Sequence, residues 1–340
     1  MKQIYKNMFL VTLVLGTLIS ISANSWVVVW IGLEMNMLSI IPLISNSTKA
    51  QSTEASIKYF IIQAMASMIL LIGCMMNTIK MNSPSNFIME ELPSLMVTSS
   101  LLTKMGAAPF HFWFPEVMEG LDWFNALVLL TWQKIAPMTM MMYIKTNEKL
   151  LFTVILFSII ISGVMGINQN SLRKILTYSS INHVGWMLTT ILFLEEIWMF
   201  YFTIYSIMNI VMIWMLKKYN ISSISQIMMM SKFNPQLKTF FMLNFLSLGG
   251  IPPMIGFLPK WFTIQILVNN QMYTMAFIMI VTTLITLYFY MRMVMNPFLG
   301  SISMPSNILI SQQFKIKKLL ILNCIIFMSL LFSTMMLNWI

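Results

Sequence analysis

The chain has 340 residues, 58% hydrophobic and only 9% charged, which leaves too little polar surface to solvate a globule of this size and places it in a bilayer. Its formal net charge of +10 is scattered singly or in pairs between apolar runs, a pattern that excludes a nucleic-acid groove and suits lipid headgroups and topology. The two cysteines, Cys74 and Cys324, both lie inside apolar runs, which excludes a disulfide framework and a CxxC metal or cluster site.

Apolar runs of bilayer length predict about eleven transmembrane helices of roughly 20 residues each. In order they cover 8–22, 26–44, 57–79, 92–113, 123–144, 150–167, 175–193, 197–216, 237–259, 272–294 and 319–339. The connections are short except at 217–236 and 296–318, each long enough for a surface helix. When the connections are assigned alternately to two sides, nearly all the basic residues fall on the side of the N-terminus. They run from Lys2 and Lys6, through Arg173 and Lys174, to Lys317 and Lys318. Lys80, Lys145 and Lys149 fall opposite. That asymmetry predicts an N-terminus on the inside and, with an odd number of spans, a C-terminus on the outside.

The fourth and ninth spans are interrupted. The fourth carries Lys104, Gly106 and Pro109 at its end, and the ninth carries Gly249, Gly250, Pro252 and Pro253, followed by Gly256, Pro259 and Lys260. A non-helical backbone at membrane depth survives only where it is buried in protein or lines a water-filled cavity. The breaks stand five spans apart, and a repeat of five must sit inverted relative to its copy. The expected fold is therefore an all-α polytopic membrane protein of two inverted five-helix repeats, 1–148 and 149–295, each with a broken fourth helix. Residues 296–340 supply a connecting segment and a C-terminal transmembrane helix.

Four charged groups fall within or at the ends of spans: Glu34, Lys104, Lys134 and Lys260. A lysine at mid-bilayer costs about 2.5–3.5 kcal/mol on insertion scales, so each needs a partner or water and reads as part of an ion pathway. Lys134, near the centre of the fifth span and three residues before Pro137, is too far from either end to snorkel. Lys260 is closer to an end, and snorkelling is its plain alternative. Glu34 suits either a packing role or a charge partner for Lys104. His183, beside Ser179, Ser180 and Asn182, suits a proton relay or simple hydrogen-bonded packing, and His111, which follows the first break, suits a mouth or loop residue with a relay as its alternative.

No GxGxxG, GxxxxGK[ST], cysteine cluster or haem-like histidine pair occurs, so electron transfer and nucleotide chemistry are expected in other chains and no cofactor or metal in this one. The 38 methionines suggest codon usage in an AT-rich organelle genome, and the start of the chain has neither a cleavage site nor an Arg-rich presequence.

Six blocks carry a family resemblance: NSWVVVWIGLEMNMLSIIPL, STEASIKYF, LLTKMGAAPFHFWFPEVMEGL, LTWQKIAPM, SLRKILTYSSINHVGW and NFLSLGGIPPMIGFLPKW. Together they resemble the subunit 2 family of mitochondrial NADH:ubiquinone oxidoreductase (respiratory complex I), in its insect or arthropod wording, from about residue 20 to 295. That family is similar to cation/proton antiporter subunits. The resemblance implies a proton-translocating core subunit of the membrane arm, in the mitochondrial inner membrane, with its N-terminus on the matrix side and its C-terminus in the intermembrane space. It further implies Glu34 and Lys104 as the charged pair of a first half-channel, Lys134 as the central lysine, Lys260 as the lysine of a second half-channel and His183 as a polar position on the connecting axis. NADH, FMN, iron–sulfur clusters and ubiquinone are implied in other subunits. The implied partners are the neighbouring antiporter-like and small hydrophobic subunits and membrane lipids, cardiolipin among them. A stand-alone cation/proton antiporter and a mainly structural spacer are the other two classes that the residues allow.

Overall fold

The structure, a computed structural model, describes residues 2–45, 49–80, 88–144, 147–227, 235–252 and 254–299. The expected eleventh span and surface helix within 296–340, and Pro253 of the second break, lie outside the described residues, except for the helical backbone to Leu299. Thirteen helices and no strand occur among the described residues. They are α1 (Lys2–Ser22), α2 (Trp26–Ile44), α3 (Ala50–Lys80), α4 (Ile88–Met105), α5 (Trp113–Gly120), α6 (Trp123–Leu130), α7 (Trp132–Met142), α8 (Glu148–Ile167), α9 (Leu172–Phe193), α10 (Glu195–Tyr219), α11 (Pro235–Gly249), α12 (Phe257–Asn269) and α13 (Tyr273–Leu299). Six are long and apolar enough to cross a membrane: α1, α2, α3, α8, α10 and α13. The protein is a helical, multi-pass membrane protein.

The chain divides into two compact units, residues 1–199 and 200–340. In the first, α1 and α2 pack backbone to backbone. A Cβ on Gly32 would meet the Ser20 nitrogen at 2.7 Å and the Gly16 oxygen at 2.9 Å, so nothing larger than glycine lets these helices approach as they do. α3 lies against α2, α4 and α5, and α9 lies against α5, α7 and α8. α9 is buried continuously from Ile175 to Thr190, and so it stands as the inner post of this unit. In the second unit α13 packs against α11 and α12.

Three expectations are corrected. The fourth span ends at Met105, and the non-helical stretch 106–112 is followed by a new helix, α5. Gly106, with φ +72°, ends α4, while Pro109 lies three residues beyond, after a cis Ala108–Pro109 bond. The ninth span ends at Gly249 rather than at residue 259, and Phe257–Asn269, expected as a span end and a connection, is the helix α12. The fifth span, expected as continuous, is divided at Thr131 (φ −113°, ψ −70°) into α6 and α7. Short helices after a break carry proline and charge, as in WFPEVMEG and FLPKWF, and lack a bilayer-length apolar window, so composition alone reads them as loop.

The two main breaks share one backbone design. At the first, the Gly106 amide donates to the Thr103 carbonyl at 3.2 Å and the Ala107 amide to Leu102 at 3.1 Å. At the second, the Gly250 amide donates to Ser247 at 3.1 Å and the Ile251 amide to Leu246 at 3.4 Å. Each is a Schellman closure around a glycine in the left-handed region, Gly250 having φ +76°. Glycine is needed at both positions because a Cβ there costs about 1–2 kcal/mol.

Candidate functional site

Lys104 sits in the last turn of α4, immediately before the first closure, and is buried. A cation is well placed at a helix C-terminus, where the peptide dipoles present their negative end. The carbonyls around it are already served by other donors. The Trp113 indole donates to Thr103 at 3.1 Å, and the Gln63 amide of α3 approaches the Lys104 carbonyl at 3.5 Å. The Lys104 ammonium is therefore not needed to cap its own helix. Glu34, half-buried on α2, acts on it electrostatically, with no direct ion pair between the two.

Lys134 is 1% exposed, deeper than the other two lysines. Its segment is irregular on both sides: Thr131 interrupts the helix before it, and Pro137 after it has no amide to offer the Gln133 carbonyl. The ammonium donates to the Ser180 carbonyl of α9 at 3.4 Å and lies over the Phe114 ring of α5, 5.6 Å from its centroid. His183 is also 1% exposed and stands three residues after Ser180, on the same face of α9. The first unit thus gathers Glu34 with Lys104, and Lys134 with the Ser180–His183 face. His111 is buried in the non-helical stretch, with Nδ1 3.3 Å from the Pro109 carbonyl.

Lys260 belongs to the second unit. It lies in the first turn of α12, 5% exposed, and reaches back across the break to donate to the Gly249 carbonyl at 2.8 Å. Snorkelling does not describe it, because the side chain turns inward to a helix end. Its position differs from that of Lys104: Lys104 is carried by the helix before its break, Lys260 by the helix after.

Sequence reasoning did not single out Phe114, Thr131 or the Asn36–Gln133 pair. Gln133 of α7 donates to Asn36 of α2 at 2.7 Å, joining the helix of Glu34 to the helix of Lys134 through the residue next to Lys134. Polar residues so close to charged ones in a span were the available signal. Among the described residues, no three His, Cys, Asp or Glu side chains come together as metal ligands.

At the outer end of α5, Glu116 pairs with Lys58 at 2.9 Å and Glu119 with Lys174 at 2.8 Å, and Lys58 also meets Glu54 at 2.8 Å. Glu54, Lys58, Glu116 and Glu119 border a cavity of about 360 Å³ between α3 and α5. Each of the three lysines is thus buried at or beside a helix interruption; the Lys134 ammonium faces a backbone carbonyl and an aromatic ring, and the Lys260 ammonium faces a backbone carbonyl.

Comparison with known proteins agrees with this geometry. Residues 23–286 match the family described as NADH:quinone oxidoreductase/Mrp antiporter, TM. The NADH-ubiquinone oxidoreductase chain 2 of Locusta migratoria is 47% identical over 287 residues, covering 84% of this chain and 83% of that protein. The chain 2 of Anopheles gambiae is 46% identical over 295 residues, 86% of each. A chain in the structure of respiratory complex I from Thermus thermophilus with bound aureothin has the same fold, with a TM-score of 0.81 at 21% identity, over 96% of this chain and 78% of that one. This chain belongs to the NADH:quinone oxidoreductase/Mrp antiporter transmembrane family.

Proposed function

We propose that this chain is a membrane-arm subunit, of the chain 2 type, of the proton-translocating NADH:ubiquinone oxidoreductase of the mitochondrial inner membrane. NADH oxidation and quinone reduction, with their FMN and iron–sulfur clusters, belong to other subunits, which are its partners in the arm. About eleven spans are arranged as two inverted five-helix repeats, 1–148 and 149–295, with a final helix within 296–340. The matched glycine closures at Gly106 and Gly250 support that plan. The N-terminus faces the matrix, membrane lipids including cardiolipin surround the chain, and the gene is carried by the mitochondrial genome.

In the proton pathway Glu34 and Lys104 form the charged pair of the first half, Lys134 is the central carrier with His183 beside it, and Lys260 serves the second half. The observation that carries this reading is Lys134 itself, an ammonium 1% exposed on a doubly irregular helix and supported by a carbonyl and a ring. A carrier must take up and release a proton, and lysine, a compact point charge on a flexible stem, is a residue that can do so from a buried position. A change of charge on Lys134 would be felt at Lys104 and Glu34 because buried charges are poorly screened.

Lys134→Met in the assembled complex tests the reading. NADH oxidation in coupled vesicles should continue while fewer protons move per NADH. An unchanged ratio and rate would overturn it. Transport of cations by the purified chain in liposomes, with no redox partner, would point to a stand-alone antiporter instead.

A further inference from the structure

We propose that Phe114 is a positioning residue for the Lys134 ammonium, its ring linking the left-handed turn at Gly106 to the charge on Lys134. The inference rests on the pump reading above and adds a residue to it.

Three observations converge on this side chain. Phe114 is 1% exposed, in the first turn of α5, directly after the non-helical stretch. Its ring lies against the turn, since a Cβ added to Gly106 would stand 3.1 Å from Cδ1 and 3.3 Å from Cβ and Cγ of Phe114. The Lys134 ammonium lies over the same ring, 5.6 Å from the centroid, within the range where a desolvated cation is attracted to an aromatic face. One ring thus touches the interruption of one helix and the ammonium carried by another.

The orientation of α5 follows from its sequence. Glu116 stands two residues after Phe114, so the two project to nearly opposite faces of a helix. Glu116 faces outward to Lys58, while Phe114 faces inward. The neighbouring Trp113 is held by its bond to the Thr103 carbonyl in the last turn of α4, so the start of α5 follows any movement of that turn. A shift at the closure moves the ring, and a moved ring changes the hold on the Lys134 ammonium. Conversely, Lys134 attracts the ring when charged and not when neutral, because only the cation interacts with the quadrupole.

Packing alone and ring electrostatics predict different outcomes. Leucine keeps an apolar side chain of useful size at position 114 but has no aromatic face. Tyrosine keeps the face. In the assembled complex in coupled membrane vesicles, Phe114→Leu should lower the protons moved per NADH oxidised, by less than Lys134→Met does, while Phe114→Tyr keeps the ratio close to that of the unaltered complex. Gly106→Ala, which drives a methyl group into the ring without altering position 114 or 134, should lower the ratio in the same direction.

If Phe114→Leu fails to assemble, Phe114→Met and Gly106→Ala decide the matter by the same ratio. A normal ratio in Phe114→Leu or Phe114→Met alongside a lowered one in Lys134→Met overturns the role of Phe114 and leaves the pump reading standing. A normal ratio in Lys134→Met overturns the pump reading itself.

Discussion

The Lys260 ammonium donates to the carbonyl of Gly249 at 2.8 Å, so a side chain from the start of one helix closes the end of another across a seven-residue gap in the same chain. The bond is buried and its donor is charged. Hydrogen bonds of this kind contribute roughly 1.5–3 kcal/mol. Lys260→Met should therefore lower the temperature at which this chain leaves the solubilised complex, in addition to any effect on proton movement. An unchanged release temperature would show that the closure holds without the lysine.

The glycines of the second break should differ in tolerance in an order fixed by what a methyl group would meet. At Gly249 it would find the Tyr290 ring at 3.4 Å, an ordinary contact, so Gly249→Ala should assemble. At Gly250 it would meet the Lys260 side chain at 3.0 Å on a backbone with φ +76°, so Gly250→Ala should cost at least the left-handed penalty of about 1–2 kcal/mol. At Gly256 it would fall on the carbonyl oxygen of Ser247, which is backbone and cannot yield, and Gly256→Ala should leave little assembled complex. Native gels of the three variants read the order directly.

The bond from Gln133 to Asn36 at 2.7 Å gives a test by double substitution. Gln133 is half-buried, so Asn36→Leu, which removes the acceptor of its amide, should cost about 0.5–1.5 kcal/mol. Asn36→Leu with Gln133→Leu removes both partners and should recover part of that loss. Release temperatures for the two single variants and the double variant give the coupling, and additive losses would mean that the two amides act independently.

Glu119 and Lys174 form an ion pair at 2.8 Å, with side chains 51% and 29% exposed. Exposed pairs of this type contribute about 0–1 kcal/mol and are screened by salt. Glu119→Gln should leave assembly and release temperature essentially as they were. A large loss would show that α5 is held mainly from its outer face rather than by Trp113 and Phe114.

Much of this was legible in the residues. The spans at 26–44 and 150–167 match α2 and α8 closely because their apolar runs end in polar turns on both sides, and in α2 neither Glu34 nor Pro42 breaks the helix. The depth of Lys134 and the presence of breaks near Lys104 and Lys260 followed from charge and glycine placed in otherwise apolar sequence. The division at Thr131 was not legible, since TWQKIAPM contains no glycine and its proline lies six residues later. Nor was the direction of Lys260, because a chain that stops one helix and starts another within a few residues reads from composition as a span followed by a loop. The place of Phe114 was hidden for a related reason: one aromatic among the many of PFHFWFP acquires meaning only when α7 brings a lysine beneath it.

The inner post of the first unit sets a limit on how the molecule works. Enclosed on every flank from Ile175 to Thr190, α9 cannot roll or slide unless all its neighbours move with it, and close-packed interiors resist that. Any rearrangement of side chains within this unit is then expected to take place around a stationary rod. The Lys134 ammonium, which donates to the Ser180 carbonyl, is thereby moored to the least movable element of its unit.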